Sequence, residues 1–218
     1  MRVLIGPDTD DLAELYAAPR TPWFRVNMVH TVDGAATGDS GKSGSINNAV
    51  DKRVFDQLRD LADAIVVGAG TARIEGYRPA DKPIVLLSRR AEVPERLRDA
   101  PPGMVLMATT SHAERIEDAR HVLGGENVLE LGSYAVDLPM LKQLLADRGW
   151  VDVLSEGGPH LLRDLVASGA ADELCVTIVP QLVGGEHPRI LQGPPVDVPL
   201  QLHTLLEEDG TLLGRWFV

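Results

Sequence analysis

The sequence predicts an α/β fold with a mostly parallel central sheet flanked by helices and a C-terminal antiparallel hairpin. Short apolar runs alternate with segments of helical spacing, which is typical of strands joined by crossover helices. Aromatic residues are only 4% of the chain against 44% hydrophobic residues, so the core should consist mainly of Val, Leu, Ile and Ala, as in buried parallel strands. No repeat or low-complexity linker divides the chain, and we expect one domain over residues 1–218, with 1–22 as an N-terminal extension.

The first half of the chain predicts a strand, a loop and a helix, followed by a series of buried strands. Residues 24–32 are strand-like, and residues 33–48 form a loop rich in glycine and serine. Helical spacing over 50–62 places Val50, Val54, Leu58 and Leu61 on one face. Further strands are expected in the apolar runs at 62–70, 83–88, 104–109 and 127–131, and helices near 111–121 and 138–147.

The last third predicts two more strands and a hairpin. Residues 150–169 combine a strand, a Glu-Gly-Gly-Pro turn and a helix that Gly169 closes. Residues 171–185 form a strand that leaves through proline and glycine. Residues 200–218 are expected to form an antiparallel hairpin at an edge of the sheet, because Asp209-Gly210 is a tight-turn signal.

Charge and composition exclude several classes of function. A formal net charge of −11 repels phosphate backbones, so nucleic acid is not an expected partner. The single cysteine, Cys175, excludes an intramolecular disulfide and is expected to be a small buried hydrophobe. The six histidines lack metal-ligand spacing, and no metal is expected. No signal-peptide pattern and no apolar run of about 18 residues is present, so we expect a cytoplasmic protein with no membrane partner.

Two glycine turns follow apolar strands and open helices. In residues 66–76, Gly68-x-Gly70 is followed by Thr71 and Arg73, which suit a phosphate group; in residues 153–165, Gly157-Gly158 enters a helix. Such turns also simply join strand to helix, and neither is a complete dinucleotide fingerprint. Two turns of this form on different strands favour one extended cofactor that straddles the sheet.

A third polar element follows the strand at 83–88. Ser88-Arg89-Arg90 places a hydroxyl beside two guanidinium groups, which suits a phosphate monoester such as the 2′-phosphate of NADPH. A solvated basic turn is the alternative reading of this segment.

These segments resemble one family. The sequences NMVHTVDGAAT, LADAIVVGAGTAR and EGGPHLL…DELCVTIVPQLVGG occur in the order seen in the riboflavin-biosynthesis pyrimidine reductases, over about residues 23–217. That family is the reductase half of the bifunctional deaminase–reductase and has a dihydrofolate-reductase-like fold. The resemblance implies a homodimer that uses NADPH to reduce the ribosyl group of a phosphoribosylamino-pyrimidine to a ribitylamino product.

The resemblance also assigns site residues. Glu75 takes the place of the family's acidic residue after the glycine turn, and would orient the substrate and stabilise the cationic iminium that accepts hydride. The implied cofactor-binding residues are Gly68, Gly70, Thr71, Arg73, Ser88, Arg89, Glu156, Gly157 and Gly158. The implied substrate-binding residues are Asn27, Thr31, Asp33, Ser43 and Arg53. Loop 33–48 would close over the nicotinamide.

Two departures from the family pattern affect the substrate side. Ala35 stands where the family has lysine, and Ser45-Ile46 stands where it commonly has Trp-Ile. Lys42 could supply the missing charge. The sequence therefore leaves three functions open: reduction of 5-amino-6-(5-phosphoribosylamino)uracil, dihydrofolate-reductase-like reduction of another pterin or pyrimidine, and nucleotide binding without turnover.

Overall fold

The computed structural model describes residues 1–218 and contains one ten-stranded sheet. The strands are β1 (Arg2–Ile5), β2 (Trp23–Thr31), β3 (Ala64–Gly68), β4 (Ile84–Leu87), β5 (Val105–Thr109), β6 (Val128–Glu130), β7 (Asp152–Ser155), β8 (Glu173–Val179), β9 (Gln201–Glu208) and β10 (Thr211–Phe217). The helices are α1 (Leu12–Leu15), α2 (Ala49–Leu61), α3 (Ala69–Glu75), α4 (Ile116–Leu123), α5 (Leu138–Asp147) and α6 (Pro159–Ala167).

The strand order is β1-β9-β10-β8-β2-β7-β3-β4-β5-β6. The strands from β8 through β2 and β7 to β6 are parallel, whereas β10 pairs antiparallel with both β8 and β9. This arrangement confirms the predicted α/β class, the mostly parallel sheet and the C-terminal hairpin. The hairpin turn has Asp209 at φ 50° and Gly210 at φ 76°, the left-handed pair that a tight turn requires.

The N-terminal segment is part of the sheet. Strand β1 pairs antiparallel with β9 and so lies outside the hairpin, which is therefore not at the edge as the sequence suggested. Helix α1 brings Leu15 and Tyr16 into a hydrophobic cluster with α2 residues such as Val54 and Leu58. The four residues of β1 show little alternation of apolar and polar side chains, so the sequence did not predict this strand. Its formation depends on pairing with β9, about 200 positions later in the chain.

Side-chain alternation along the central strands builds a core on each face of the sheet. Phe24 and Val66 belong to a cluster of 19 buried residues, which α5 and α6 cover. Neighbouring positions such as Ile65 and Val67 point to the opposite face and belong to a second cluster of 13. Cys175 is 1% exposed, as expected for a small buried side chain. None of the six helices combines the length and the apolar character that spanning a bilayer requires.

Candidate functional site

The main cavity has a volume of about 580 Å³ and lies where β3 and β7 end. The two glycine turns meet there, because β3 and β7 are adjacent parallel strands. The backbone N–H of Gly68 donates to the carbonyl of Gly157 at 3.1 Å. Gly70, Thr71 and Gly158 line the cavity. The structure thus brings together the two turns that lie about 90 positions apart in the sequence.

Glycine is required in the second turn for two reasons. Gly157 has φ 77° and Gly158 has φ 84°, both in the left-handed region. A Cβ atom would lie 2.5 Å from the sulfur of Met28 at position 157, and 2.6 Å from Oγ1 of Thr71 at position 158. Helix α6 then begins without a side-chain cap, so its first N–H groups remain available to a ligand.

The serine–arginine corner lies one strand further along the same edge. Gly68 of β3 pairs with Leu87 of β4, so Ser88 follows directly beside the first glycine turn. The hydroxyl of Ser88 accepts a hydrogen bond from the backbone of Glu92 at 3.3 Å. Arg89 is exposed, and Arg73 lies 3.4 Å from Glu92 outside the main cavity. Both residues therefore flank the cavity and do not line it.

Helix α2 presents one face to the cavity. Its lining residues are spaced at helical intervals: Asp51, Lys52, Phe55 and Arg59. Arg53, expected on the substrate side, does not line the cavity but pairs with Glu208 at 2.5 Å. Each residue turns the helix by about 100°, so position 53 lies about 120° beyond Arg59 and on another face. The arginine of this helix that reaches the cavity is Arg59.

Arg59, Tyr77 and Glu156 form a cluster in the cavity wall. Glu156 accepts two hydrogen bonds from the guanidinium of Arg59, at 2.5 and 2.7 Å, and a third from the hydroxyl of Tyr77. Burial and the negative charge of Glu156 raise the pKa of Tyr77 well above its usual value. Burial lowers the pKa of Arg59, but its hydrogen bonds and attraction to Glu156 outweigh this effect and raise it. Both groups therefore keep their protons, and the positive charge of Arg59 is neutralised within the wall.

Glu75 and Ser43, expected on different elements, are in contact. The backbone N–H of Ser43 donates to Oε1 of Glu75 at 2.9 Å, and both residues line the cavity together with Asn27. The hydrogen bond fastens the loop at 33–48 to the end of α3. Glu75 thus occupies the cavity wall with one oxygen held by the loop.

Thr31 and Asp33 lie outside the cavity and hold the loop that follows β2. Thr31 is fully buried, and its hydroxyl donates to the carboxylate of Asp33. Asp33 in turn accepts hydrogen bonds from the backbone N–H groups of Val183 at 3.2 Å and Gly184 at 2.7 Å. The hydrogen bonds from Thr31 and Gly184 lower the pKa of Asp33. Both residues therefore connect the loop after β2 to the segment at 183–184, and neither lies at the expected substrate position.

Several cavity residues had not been singled out in the sequence. These are Asp51, Lys52, Phe55, Arg59, Tyr77, His160, Pro188 and Gln192. Positions 51, 55 and 59 have the i, i+4 and i+8 spacing of one helix face, which is visible in the sequence. This face differs from the hydrophobic face that predicted α2. Pro188 and Gln192 come from the segment after β8, where no pattern indicates contact with the cavity. The histidine, cysteine and acidic side chains form no cluster of three or more that could hold a metal ion.

Comparison with known proteins decides the family. The model of the RibD C-terminal domain matches residues 22–211. The chain belongs to this family, as the quoted motifs indicated. A 2,5-diamino-6-ribosylamino-4(3H)-pyrimidinone 5′-phosphate reductase from Methanothermobacter thermautotrophicus is 30% identical over 183 residues, 78% of this chain and 83% of the relative. RibD of Chlamydia trachomatis is 31% identical over 155 residues, 64% of this chain but 41% of that longer protein.

Solved structures confirm the dihydrofolate-reductase-like fold. A pyrimidine reductase-like protein from Corynebacterium diphtheriae superposes with a TM-score of 0.79 at 24% identity, covering 95% of this chain and 98% of that one. Dihydrofolate reductase from Enterococcus faecalis superposes with a TM-score of 0.50 at 14% identity, covering 90% of this chain and 96% of that one. At these identities the likeness shows the fold alone.

Proposed function

We propose that the protein is an NADPH-dependent reductase of a phosphoribosylamino-pyrimidine in riboflavin biosynthesis, with 5-amino-6-(5-phosphoribosylamino)uracil as the substrate that the family motifs imply. The observation that carries this proposal is the meeting of the two glycine turns at one cavity that Glu75 also lines. The names of the curated relatives support reduction of such a pyrimidine.

The backbone geometry of the two glycine turns supports the proposal of an extended dinucleotide cofactor. Gly157 and Gly158 form a cradle that a Cβ atom would fill, and Gly70 has open space around it. Gly68, Gly70 and Thr71 would hold the pyrophosphate from one side, and the uncapped start of α6 after Gly157 and Gly158 from the other. Ser88 and Arg89 would bind the adenosine-side phosphate, with Arg73 beside them. Glu156, named above as a cofactor-binding candidate, would act there by holding Arg59 and Tyr77 in place.

The protein's contribution to the reaction would be to align the substrate with the cofactor and to stabilise the charge that develops on the substrate. When bound, a nicotinamide cofactor supplies the hydride. Opening of the ribose ring breaks the bond between C1′ and O4′, O4′ gains a proton, and the resulting iminium carbon C1′ accepts the hydride to give the ribitylamino product. The carboxylate of Glu75, held by the N–H of Ser43, would stabilise the positive charge of the iminium. Asn27 would orient the substrate from β2.

A second candidate is dihydrofolate-reductase-like reduction of another pterin or pyrimidine. The observation that favours it is the charge of the cavity wall. Arg59 is neutralised by Glu156, Lys52 lies 2.5 Å from a carboxylate oxygen of Asp56, and Ala35 is buried where the family has lysine. A substrate phosphate would therefore rely on Lys42 or on cations that give up their present partners.

Oxidation of NADPH, followed by its absorbance with the phosphoribosylamino-pyrimidine and with dihydrofolate in parallel, separates these candidates. Turnover with the pyrimidine is expected. Oxidation with the folate alone would refute the favoured substrate, and tight NADPH binding with neither turnover would identify a nucleotide-binding protein without catalysis.

Two variants test the residue assignments. Arg89→Ala should weaken NADPH much more than NADH, because only NADPH carries the 2′-phosphate. Equal weakening of both would remove Arg89 from cofactor selection. Glu75→Gln should lower kcat with little change in NADPH affinity, and wild-type kcat would dismiss its role. We also propose a homodimer, which light scattering of the purified protein tests directly.

A further inference from the structure

The N-terminal segment, residues 1–22, has no role in the chemistry described so far. Almost all of it precedes the part of the chain that the family model matches, and none of its residues lines the main cavity. Yet Leu15 and Tyr16, at the end of α1, are each 1% exposed and belong to a hydrophobic cluster with α2. Because protein interiors are close-packed, side chains buried to this extent fix the position of the element that packs against them.

Two buried arginines fasten the end of α1 to the sheet. The guanidinium of Arg215, on β10, donates to the carbonyl of Leu15 at 2.7 Å and to that of Ala17 at 2.8 Å. Arg25, on β2, donates to the carbonyl of Tyr16 at 2.8 Å. The last carbonyl groups of a helix have no partner within it, and a charged donor forms a strong hydrogen bond with them. Both arginines are almost fully shielded from water, so water cannot replace these carbonyls as acceptors and the segment is held in one place on β2 and β10.

Helix α2 lies between the N-terminal segment and the cavity. In the sheet, β10 and β9 lie on one side of β8 and β2, and β7 and β3 lie on the other side. The segment is attached to the first pair, by the hydrogen bonds from β10 and by the pairing of β1 with β9, whereas the cavity lies where β7 and β3 end. Residues of α2 share one hydrophobic cluster with Leu213 of β10, Leu154 of β7 and Tyr16. The helix therefore packs across these strands, with the N-terminal segment on one side and the cavity on the other.

Two walls of the cavity belong to different elements. Asp51, Phe55 and Arg59 of α2 form one wall, and the glycine turns after β3 and β7 form another. Each residue turns a helix by about 100°, so Phe55, in the middle of the wall, lies about 100° from Val54, which packs into the cluster with Tyr16. A displacement of α2 from its packed position would therefore change the width of the cavity and leave the glycine turns in place.

We propose that the N-terminal segment is a positioning element for substrate binding, and that Tyr16 is the residue through which it acts. Tyr16 holds α2 in its packed position, and α2 sets the distance between its own cavity side chains and the glycine turns. The segment itself contacts neither substrate nor cofactor. This inference rests on the proposed function, in which the glycine turns bind NADPH and α2 borders the substrate. Loss of the contact between Tyr16 and α2 should therefore raise KM for the substrate without weakening NADPH.

Steady-state kinetics of Tyr16→Ala and Tyr16→Phe tests the proposal. Since a misplacement of about 1 Å can cost about 100-fold in activity, Tyr16→Ala should raise KM for the phosphoribosylamino-pyrimidine at least about fivefold. The dissociation constant of NADPH, measured by calorimetry, should stay within about twofold of wild type, because the glycine turns are distant from Tyr16. Tyr16→Phe should keep the wild-type KM, because phenylalanine fills the same volume.

Leu97→Ala is the matched control for a loss of stability alone. Leu97 is fully buried in the cluster of 13 residues, which contains no residue of α2, so its truncation also leaves a cavity in the core. It should lower Tm but leave KM unchanged. An unchanged KM in Tyr16→Ala, an equal rise of KM in Leu97→Ala, or an equal loss of NADPH affinity in Tyr16→Ala would overturn the proposal.

Amide hydrogen exchange reports how firmly α2 is held and does not depend on turnover. Tyr16→Ala should speed exchange in α2 at least about fivefold, whereas α6, which follows the second glycine turn, should exchange as in wild type. Leu12→Ala removes a partly buried side chain that packs on the same cluster, and should cause smaller changes of the same kind if Tyr16→Ala does not fold. Faster exchange in α2 without reductase activity would support the positioning role and refute the proposed function. Unchanged exchange in α2 would overturn the positioning role, whatever the turnover.

Discussion

Replacing Glu156 with glutamine removes the charge that holds two cavity side chains together. Glu156 accepts hydrogen bonds at 2.5 and 2.7 Å from Arg59 and a further one from Tyr77. Its side chain is 3% exposed and that of Arg59 is 32% exposed. Glutamine preserves the shape but is neutral, so Arg59 loses its counter-ion while it remains mostly buried.

The expected cost follows from these exposures. Removing one partner of a fully buried ion pair costs about 3–5 kcal/mol. Arg59 keeps some access to water, and the glutamine oxygen still accepts a hydrogen bond, so we expect a loss of about 2–3 kcal/mol. For a chain of this size each kcal/mol lowers Tm by about 2–4 °C, which gives a fall of about 4–12 °C.

Thermal unfolding followed by calorimetry measures this fall, with Glu114→Gln as the matched control. Glu114 pairs with Arg90 at 3.0 Å, but the two side chains are 67% and 61% exposed, so its loss should cost less than about 1 kcal/mol. Arg59→Gln should also cost much less in the Glu156→Gln background than in wild type. A Tm change in Glu156→Gln no larger than that in Glu114→Gln would refute the reasoning.

Three further predictions concern pH, backbone and charge. Burial raises the pKa of Asp152 to about 6, so the protonated carboxyl of Asp152 stabilises the fold at low pH, and this stabilisation is lost as pH rises between about 4 and 6. The Tm of wild type minus that of Asp152→Asn should therefore fall across this window. A constant difference would contradict the prediction. Gly158→Ala places Cβ 2.6 Å from Thr71 at φ 84°, whereas Gly169→Ala at φ 68° meets nothing within 4 Å. Gly158→Ala should therefore lower Tm more and weaken NADPH at least about tenfold, and identical behaviour of the two variants would refute the cradle. Arg53→Ala should leave KM for the pyrimidine within about twofold, since its side chain lies outside the cavity, and a tenfold rise would return it to substrate binding.

Local patterns in the sequence predicted those elements whose causes are local. The apolar face of α2, the turn at Asp209-Gly210 and the strands before both glycine turns were all visible, because periodicity and backbone preference act over a few residues. The helix near 111–121 was placed too early, since α4 begins at Ile116. The N–H of Ser111 instead donates to the carbonyl of Gly132, a contact that no local pattern encodes.

The partners of charged residues inside apolar strands could not be predicted from the sequence. Arg25 and Arg215 are 0% and 2% exposed, and Arg215 is paired with the fully buried Glu173. Arg25 lies within a strand that was identified by its apolar neighbours. Its partners, the carbonyl of Tyr16 and the carboxylate of Asp152, come from elements far apart in the chain. The cluster of Arg59, Tyr77 and Glu156 could not be predicted for the same reason, because Arg59 and Glu156 are 97 positions apart in the chain.

The position of β2 has a consequence for synthesis on the ribosome. Both of its neighbours in the sheet, β7 and β8, lie more than 100 positions later in the chain. The strands β3, β4 and β5, in contrast, each pair with the next strand of the chain, so β3 to β6 can assemble as they emerge. The nascent chain must therefore carry an unpaired apolar strand until β7, which ends at Ser155, has left the exit tunnel, and the other edge of β2 stays open until β8 follows. During that interval we expect a cotranslational chaperone to bind β2.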